Sequence, residues 1–123
     1  MIKAYTDGSC IGNPGPGGWA VVFDDGREIG GNELYTTNNR MELTGIFEAM
    51  KLCPNEDLII YSDSQWAINS VTGKWNVTKN LDLIKQIKRI YNPKRMNLVW
   101  IKGHNGNIFN EKADRLAREY SNK

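Results

Sequence analysis

Apolar and polar residues alternate along the chain with periods that mark five strands and four helices. IKAYTD is strand-like, and GWAVVF and REIGGNELY flank Asp25-Gly26, a pair suited to the tight turn of a hairpin. In NRMELTGIFEAMKL the apolar residues Leu43, Ile46, Phe47 and Met50 recur at helical spacing, and Cys53-Pro54 ends the run. DLIIYSD is a short continuous apolar run, the pattern of a strand covered on both faces. SQWAINSV predicts a short helix that stops near Thr72-Gly73. LDLIKQIKRIY predicts an amphipathic helix with Leu81, Ile84, Ile87 and Tyr91 on its buried side, broken at Asn92-Pro93. NLVWIK is a further strand, and NEKADRLAREY a last helix whose stripe is Ala113, Leu116, Ala117 and Tyr120.

An antiparallel start followed by strand-helix-strand crossovers predicts an α/β protein with a mixed sheet and helices on its faces. A length of 123 residues suits one domain, residues 1–123. Ligands of such sheets favour the carboxyl ends of the parallel strands. No apolar leader or membrane-length stretch is present, which points to the cytoplasm. Cys10 and Cys53 match no metal-binding spacing, and a disulfide is not expected in a reducing compartment.

The net charge of +2 hides a division. Residues 1–70 hold ten acids against four Lys/Arg, and residues 74–123 hold twelve Lys/Arg against four acids. A basic helix face exposed to water would account for the second half, as would a phosphate-binding surface. The acidic half favours the second reading. Asp7 ends the first strand and Asp63 ends LIIYS. On adjacent parallel strands the two carboxylates would sit together and repel unless a cation intervened. Taken singly, Asp63 reads as a helix cap, and Glu42 and Asp114 read as acids near helix starts. Taken together, four acids at one sheet end form an oxygen cluster suited to Mg²⁺, and paired ions there would clamp a phosphodiester. His104 lies between Gly103 and Gly106 on a loop at that end, where a group titrating near neutral pH can move protons.

TDGSCIGNPGPGGWA, TTNNRMEL, YSDSQW, KNLDLI and WIKGHNGNIFNEKADRLA follow one another over almost the whole chain. In this order and spacing they resemble the type 1 ribonucleases H, which cleave the RNA strand of RNA–DNA hybrids. The resemblance implies a ribonuclease H-like fold: a five-stranded mixed sheet of order 3-2-1-4-5 with helices on both faces. It implies metal ligation by Asp7, Glu42, Asp63 and Asp114, and assistance from His104 in proton movement or product release. It implies two-metal-ion hydrolysis with Mg²⁺, Mn²⁺ being the alternative, giving 5′-phosphate and 3′-hydroxyl ends. The partner would be a hybrid duplex, with the protein a monomer needing no protein partner and no membrane.

The same resemblance assigns substrate contacts. Backbone near Ser9, Cys10 and Gly12, with Asn13, Asn38 and Asn39, would read the minor groove, where 2′-hydroxyls distinguish RNA from DNA. The five glycines of residues 8–18 would let that backbone approach closely. Thr37 and Asn80 match positions that grip a DNA-strand phosphate. Two features depart from many relatives: Tyr35 stands where an arginine is common, and only TGKWNVT replaces a basic, Trp-rich protrusion. Trp75 is then either the residue that packs on the DNA sugars or a core residue at a helix junction.

Overall fold

The computed structural model describes residues 1–123. The chain runs β1 (Ile2–Cys10), β2 (Gly15–Phe23), β3 (Glu28–Thr36), α1 (Asn38–Leu52), β4 (Leu58–Ser62), α2 (Gln65–Thr72), α3 (Leu81–Ile90), β5 (Met96–Trp100) and α4 (Ile108–Ser121). The sheet order is β3-β2-β1-β4-β5. β1, β2 and β3 pair antiparallel, whereas β1, β4 and β5 pair parallel through the helical crossovers. The ribonuclease H-like topology is therefore the one observed.

Period-two alternation sends neighbouring residues to opposite faces of the sheet. Ala4, Val21 and Phe23 join one core with Leu43, Ile46 and Met50 of α1, Ala67 and Val71 of α2, and Ile84 and Ile87 of α3. Tyr5 and Val22 join a second, smaller core with Ala113 of α4, to which Phe109 and Leu116 add. The sheet is thus covered on both sides, and α4 lies across β1, β2 and β3.

Two helices differ from the sequence expectation. In α3 the buried residues are Leu83, Ile84 and Ile87, while Leu81 is 47% exposed. Leu81 is the first helical residue and Leu83, two places on, is buried instead, on a helix that packs against α1 and α2. Helix α4 begins at Ile108, two residues before the expected start, because the Asn107 side chain accepts from the Asn110 backbone N–H at 2.9 Å. No helix is long and apolar enough to cross a membrane, and both cysteines are free thiols.

Candidate active site

The register of the parallel strands builds the site. β1 and β4 pair from Ile2↔Leu58 to Tyr5↔Tyr61, and there their ladder ends. Asp7 and Asp63 each follow two residues later, so they leave the paired region abreast. β1 continues to Cys10 paired with β2 alone, which opens a cleft on its β4 side.

Glu42 joins them from α1. Thr37 caps that helix, its hydroxyl accepting from the Arg40 N–H at 3.3 Å. Gly8 lets α1 cross close to β1: a Cβ there would fall on the peptide joining Met41 and Glu42. Glu42 is beyond the first turn of the helix, so interaction with the helix dipole is not its role. Ligand oxygens of Asp7, Glu42 and Asp63 all lie within 4.8 Å of one another.

Asp63 is free to join this trio because Ser64 takes the capping position of α2, accepting from the Ala67 N–H at 3.1 Å. The loop after β5 closes on Asp63. Trp100 Nε1 donates to the Asp63 carbonyl at 3.1 Å, and Gly103 lies so near the carboxylate that a Cβ would come within 2.8 Å of Oδ2.

Burial makes the three charges costly. Loss of solvent, reinforced by Asp63 and Asp114, pushes Asp7 up to about 7 against the stabilising Glu42 and Gly8 hydrogen bonds. Burial, and then the neighbouring Asp7 charge, holds Glu42 well above the usual carboxylate range. Burial, with Asp114 beside it, raises Asp63 as well. Glu42 Oε1 is fully buried with no hydrogen-bond partner. A buried oxygen without a partner, within an all-oxygen group of acids that cannot all ionise, fits a hard divalent cation.

Asp114 lines the same cleft but stands outside the tight trio. It is not near the start of α4 as the sequence suggests; the helix begins six residues earlier. Its Oδ2 is 2.9 Å from Arg118 Nη2. His104, exposed and at φ 54, borders a neighbouring hollow that it shares with Asp114 and Arg118.

The expected substrate residues fall into two groups. Ser9, Cys10, Asn38 and Asn39 line the acidic cleft. Asn13, Thr37 and Asn80, with Asn38 and Asn39 again, line a second pocket beside the start of α1. Gly12 and Trp75 line neither. Trp75 is 46% exposed, which removes the reading as a core residue.

The glycine-rich stretch has a different cause from the one expected. Gly8, Gly15, Gly17 and Gly18 have no room for a Cβ against the protein's own atoms; at Gly18 the obstacle is the α4 backbone. Of the five, only Gly12 adopts a positive φ, 82. Packing inside the fold therefore accounts for four of the five.

The second pocket also contains Lys79, which sequence reading passed over. Thr37 and Asn13 already accept from backbone N–H groups of α1, the latter at 2.9 Å from Asn38. Their own hydrogens are left to donate outward. With Lys79, the pocket becomes an array of donors at a helix N-terminus, the arrangement that binds anions. Lys79 was legible as the residue before Asn80 in KNLDLI, and Arg118 as the residue four after Asp114.

Comparison with known proteins agrees with this geometry. The chain is 44% identical over 136 residues to the ribonuclease H of Ehrlichia chaffeensis, covering 95% of this chain and 92% of that protein. It is 43% identical over 129 residues to the ribonuclease HI of Helicobacter pylori, covering 95% and 90% respectively. The crystal structure of LC11-RNase H1 in complex with an RNA/DNA hybrid is similar at a TM-score of 0.84 and 24% identity, covering 99% of this chain and 97% of that one. The acid trio at the sheet edge and the strand order thus accompany a match of residues 1–122 to the RNase H family model, and the chain belongs to the RNase H family.

Proposed function

We propose that this ribonuclease H hydrolyses the RNA strand of RNA–DNA hybrids, leaving a 5′-phosphate and a 3′-hydroxyl. The observation that carries the proposal is the trio Asp7, Glu42 and Asp63, with ligand oxygens within 4.8 Å of one another and Glu42 Oε1 buried without a partner. Asp7, Glu42, Asp63 and Asp114 would hold two divalent cations, Mg²⁺ or in its place Mn²⁺. When bound, these supply Lewis acidity for the attacking water and for the departing 3′ oxygen.

The remaining work falls to the chain. Ser9, Cys10, Asn38 and Asn39 border the acids and would face the minor groove, where Asn amides can both donate to and accept from 2′-hydroxyls. Gly12 would approach through its backbone. Thr37, Asn80 and Asn13, with Lys79, would hold a DNA-strand phosphate, fixing the duplex while carrying no sequence information. Trp75, half exposed between α2 and α3, would pack on sugars of the DNA strand. His104 would move protons at the cleft edge. Residues 1–123 would act as one catalytic domain and as a monomer in the cytoplasm.

The test is cleavage of labelled RNA–DNA hybrid with Mg²⁺ or Mn²⁺, against single-stranded RNA, double-stranded RNA and duplex DNA. Cleavage confined to the RNA of the hybrid is expected. Hybrid binding without cleavage in either ion would overturn the proposal and leave a binding module.

A further inference from the structure

We propose that Arg40, held by Asp82, is a positioning residue that aims the Asn80 carboxamide into the anion pocket beside α1. The inference rests on reading that pocket as the seat of a DNA-strand phosphate.

Asn80 stands at the N-terminus of α3 with φ 61 and ψ 30. An asparagine in this position ordinarily turns its oxygen to the free N–H groups of the helix. Asn80 makes no such capping bond. Its Oδ1 accepts instead from Arg40 Nη1 at 3.2 Å. The helix gives up its side-chain cap and the backbone occupies the left-handed region. Local concessions of this kind collect at functional positions.

The contact fixes which way the amide points. Arginine has five N–H donors and no acceptor, so it must face the oxygen of Asn80 and not the nitrogen. The Asn80 NH₂ group is then directed away from Arg40, on the side where Asn80 lines the pocket with Asn13, Thr37 and Lys79. Reversal of the amide would put N–H against N–H and leave a carbonyl facing the anion.

Arg40 is itself held. Its Nη1 and Nη2 donate to the two oxygens of Asp82 at 3.1 Å each, a fork-to-fork pair that fixes the guanidinium plane. Its backbone N–H donates to Thr37 Oγ1, so it also ties down the other gripping residue. Arg40 does not line the pocket, and acts on it through Asn80 and Thr37. Tyr35 too lies outside the pocket. Lys79 supplies the charge and Arg40 supplies the orientation.

Binding to hybrid in EDTA, read by fluorescence anisotropy, tests this without cleavage. The proteins are Asn80→Ala, Arg40→Met, Asp82→Asn and the Arg40→Met/Asn80→Ala double variant. The substrates carry single methylphosphonates scanned along the DNA strand. Asn80→Ala should weaken binding by about tenfold, the worth of one hydrogen bond to a charged group. It should also erase the penalty at one methylphosphonate position. Arg40→Met should weaken binding to a similar extent and erase the same position, and the double variant should be no worse than either single. Asp82→Asn, which keeps shape, should give a smaller loss of the same pattern. With cations restored, KM should rise while kcat holds.

Additive losses in the double variant would overturn the inference while leaving the pocket assignment standing. So would Arg40→Met with full affinity and an intact methylphosphonate profile. Full affinity in Asn80→Ala, with no sensitive DNA-strand position, would overturn the pocket assignment and the inference together.

Discussion

Arg118 Nη2 lies 2.9 Å from Asp114 Oδ2, one turn along α4, so the fourth acid of the cleft carries its own counter-ion. Both residues line the cleft that holds Asp7, Glu42 and Asp63. An arginine beside an acidic cluster relieves repulsion there, and the same charge opposes an arriving cation. Exposed pairs of this kind are worth about 1 kcal/mol or less. Arg118→Met should therefore tighten Mg²⁺ binding by up to roughly fivefold in calorimetry. Unchanged binding would show that Arg118 has no influence on the cation site, and weaker binding would show that it supports the site.

The trio makes the stability of the cation-free protein depend on pH. Folding raises Asp7 from 3.8 to about 7, chiefly by burial, so the folded chain keeps a proton that the unfolded chain releases. Stability is then greatest below about pH 4 with respect to this group. It falls as pH rises toward 7, and the full loss is in place above that. The loss is on the order of 4 kcal/mol, or roughly 10–15 °C in Tm for a domain of this size. Glu42, raised by burial and by Asp7, acts in the same direction. Thermal melts in EDTA should show a lower Tm at pH 8 than at pH 5, with Mg²⁺ restoring the difference. Asp7→Asn should flatten the slope. A cation-free Tm that does not fall over this range would contradict the burial of a charged trio.

Gly8 is where the fold and the chemistry meet. A methyl group at this position strikes the α1 backbone between Met41 and Glu42, and a peptide cannot swing aside as a side-chain end can. Gly8→Ala should lift α1 from β1, costing about 1–3 kcal/mol of stability. It should also carry Glu42 away from Asp7 and Asp63. A displacement near 1 Å can cost roughly 10²-fold in rate. Calorimetric cation affinity should fall alongside turnover. A Gly8→Ala protein with wild-type cation affinity would separate Gly8 from the site.

Why some of this was legible in the sequence follows from distance along the chain. Asp7 and Asp63 were identifiable because each ends an apolar run, and parallel pairing turns equal positions on two strands into neighbours. Asp63 as a helix cap was a fair competitor until Ser64, the next residue, was seen to take that position. The phase of α3 differs from the sequence pattern because LDLI offers two leucines within one turn, and only packing against α1 and α2 decides that Leu83 goes inward. The role of Gly8, Gly17 and Gly18 is hidden in the sequence because the atoms they pack against, in Met41, Thr36 and the α4 backbone, are distant along the chain. The Arg40–Asn80–Asp82 contacts span about forty residues in the same way. Arg118 is different: i,i+4 spacing alone pairs it with Asp114.

His104 and Asp63 should separate in their kinetics. His104 sits outside the trio on the loop that Gly103 presses against Asp63, and its positive form would steady that carboxylate. Asp63→Asn keeps shape but removes the charge of a proposed ligand oxygen. It should abolish cleavage and weaken cation binding while leaving the far-UV spectrum unchanged. In the proposed role His104 carries a proton and ligates no cation, so His104→Ala should lower turnover by about 10²-fold or more with cation affinity unchanged. Loss of cation affinity in His104→Ala matching that of Asp63→Asn would make the histidine a support of the metal site instead.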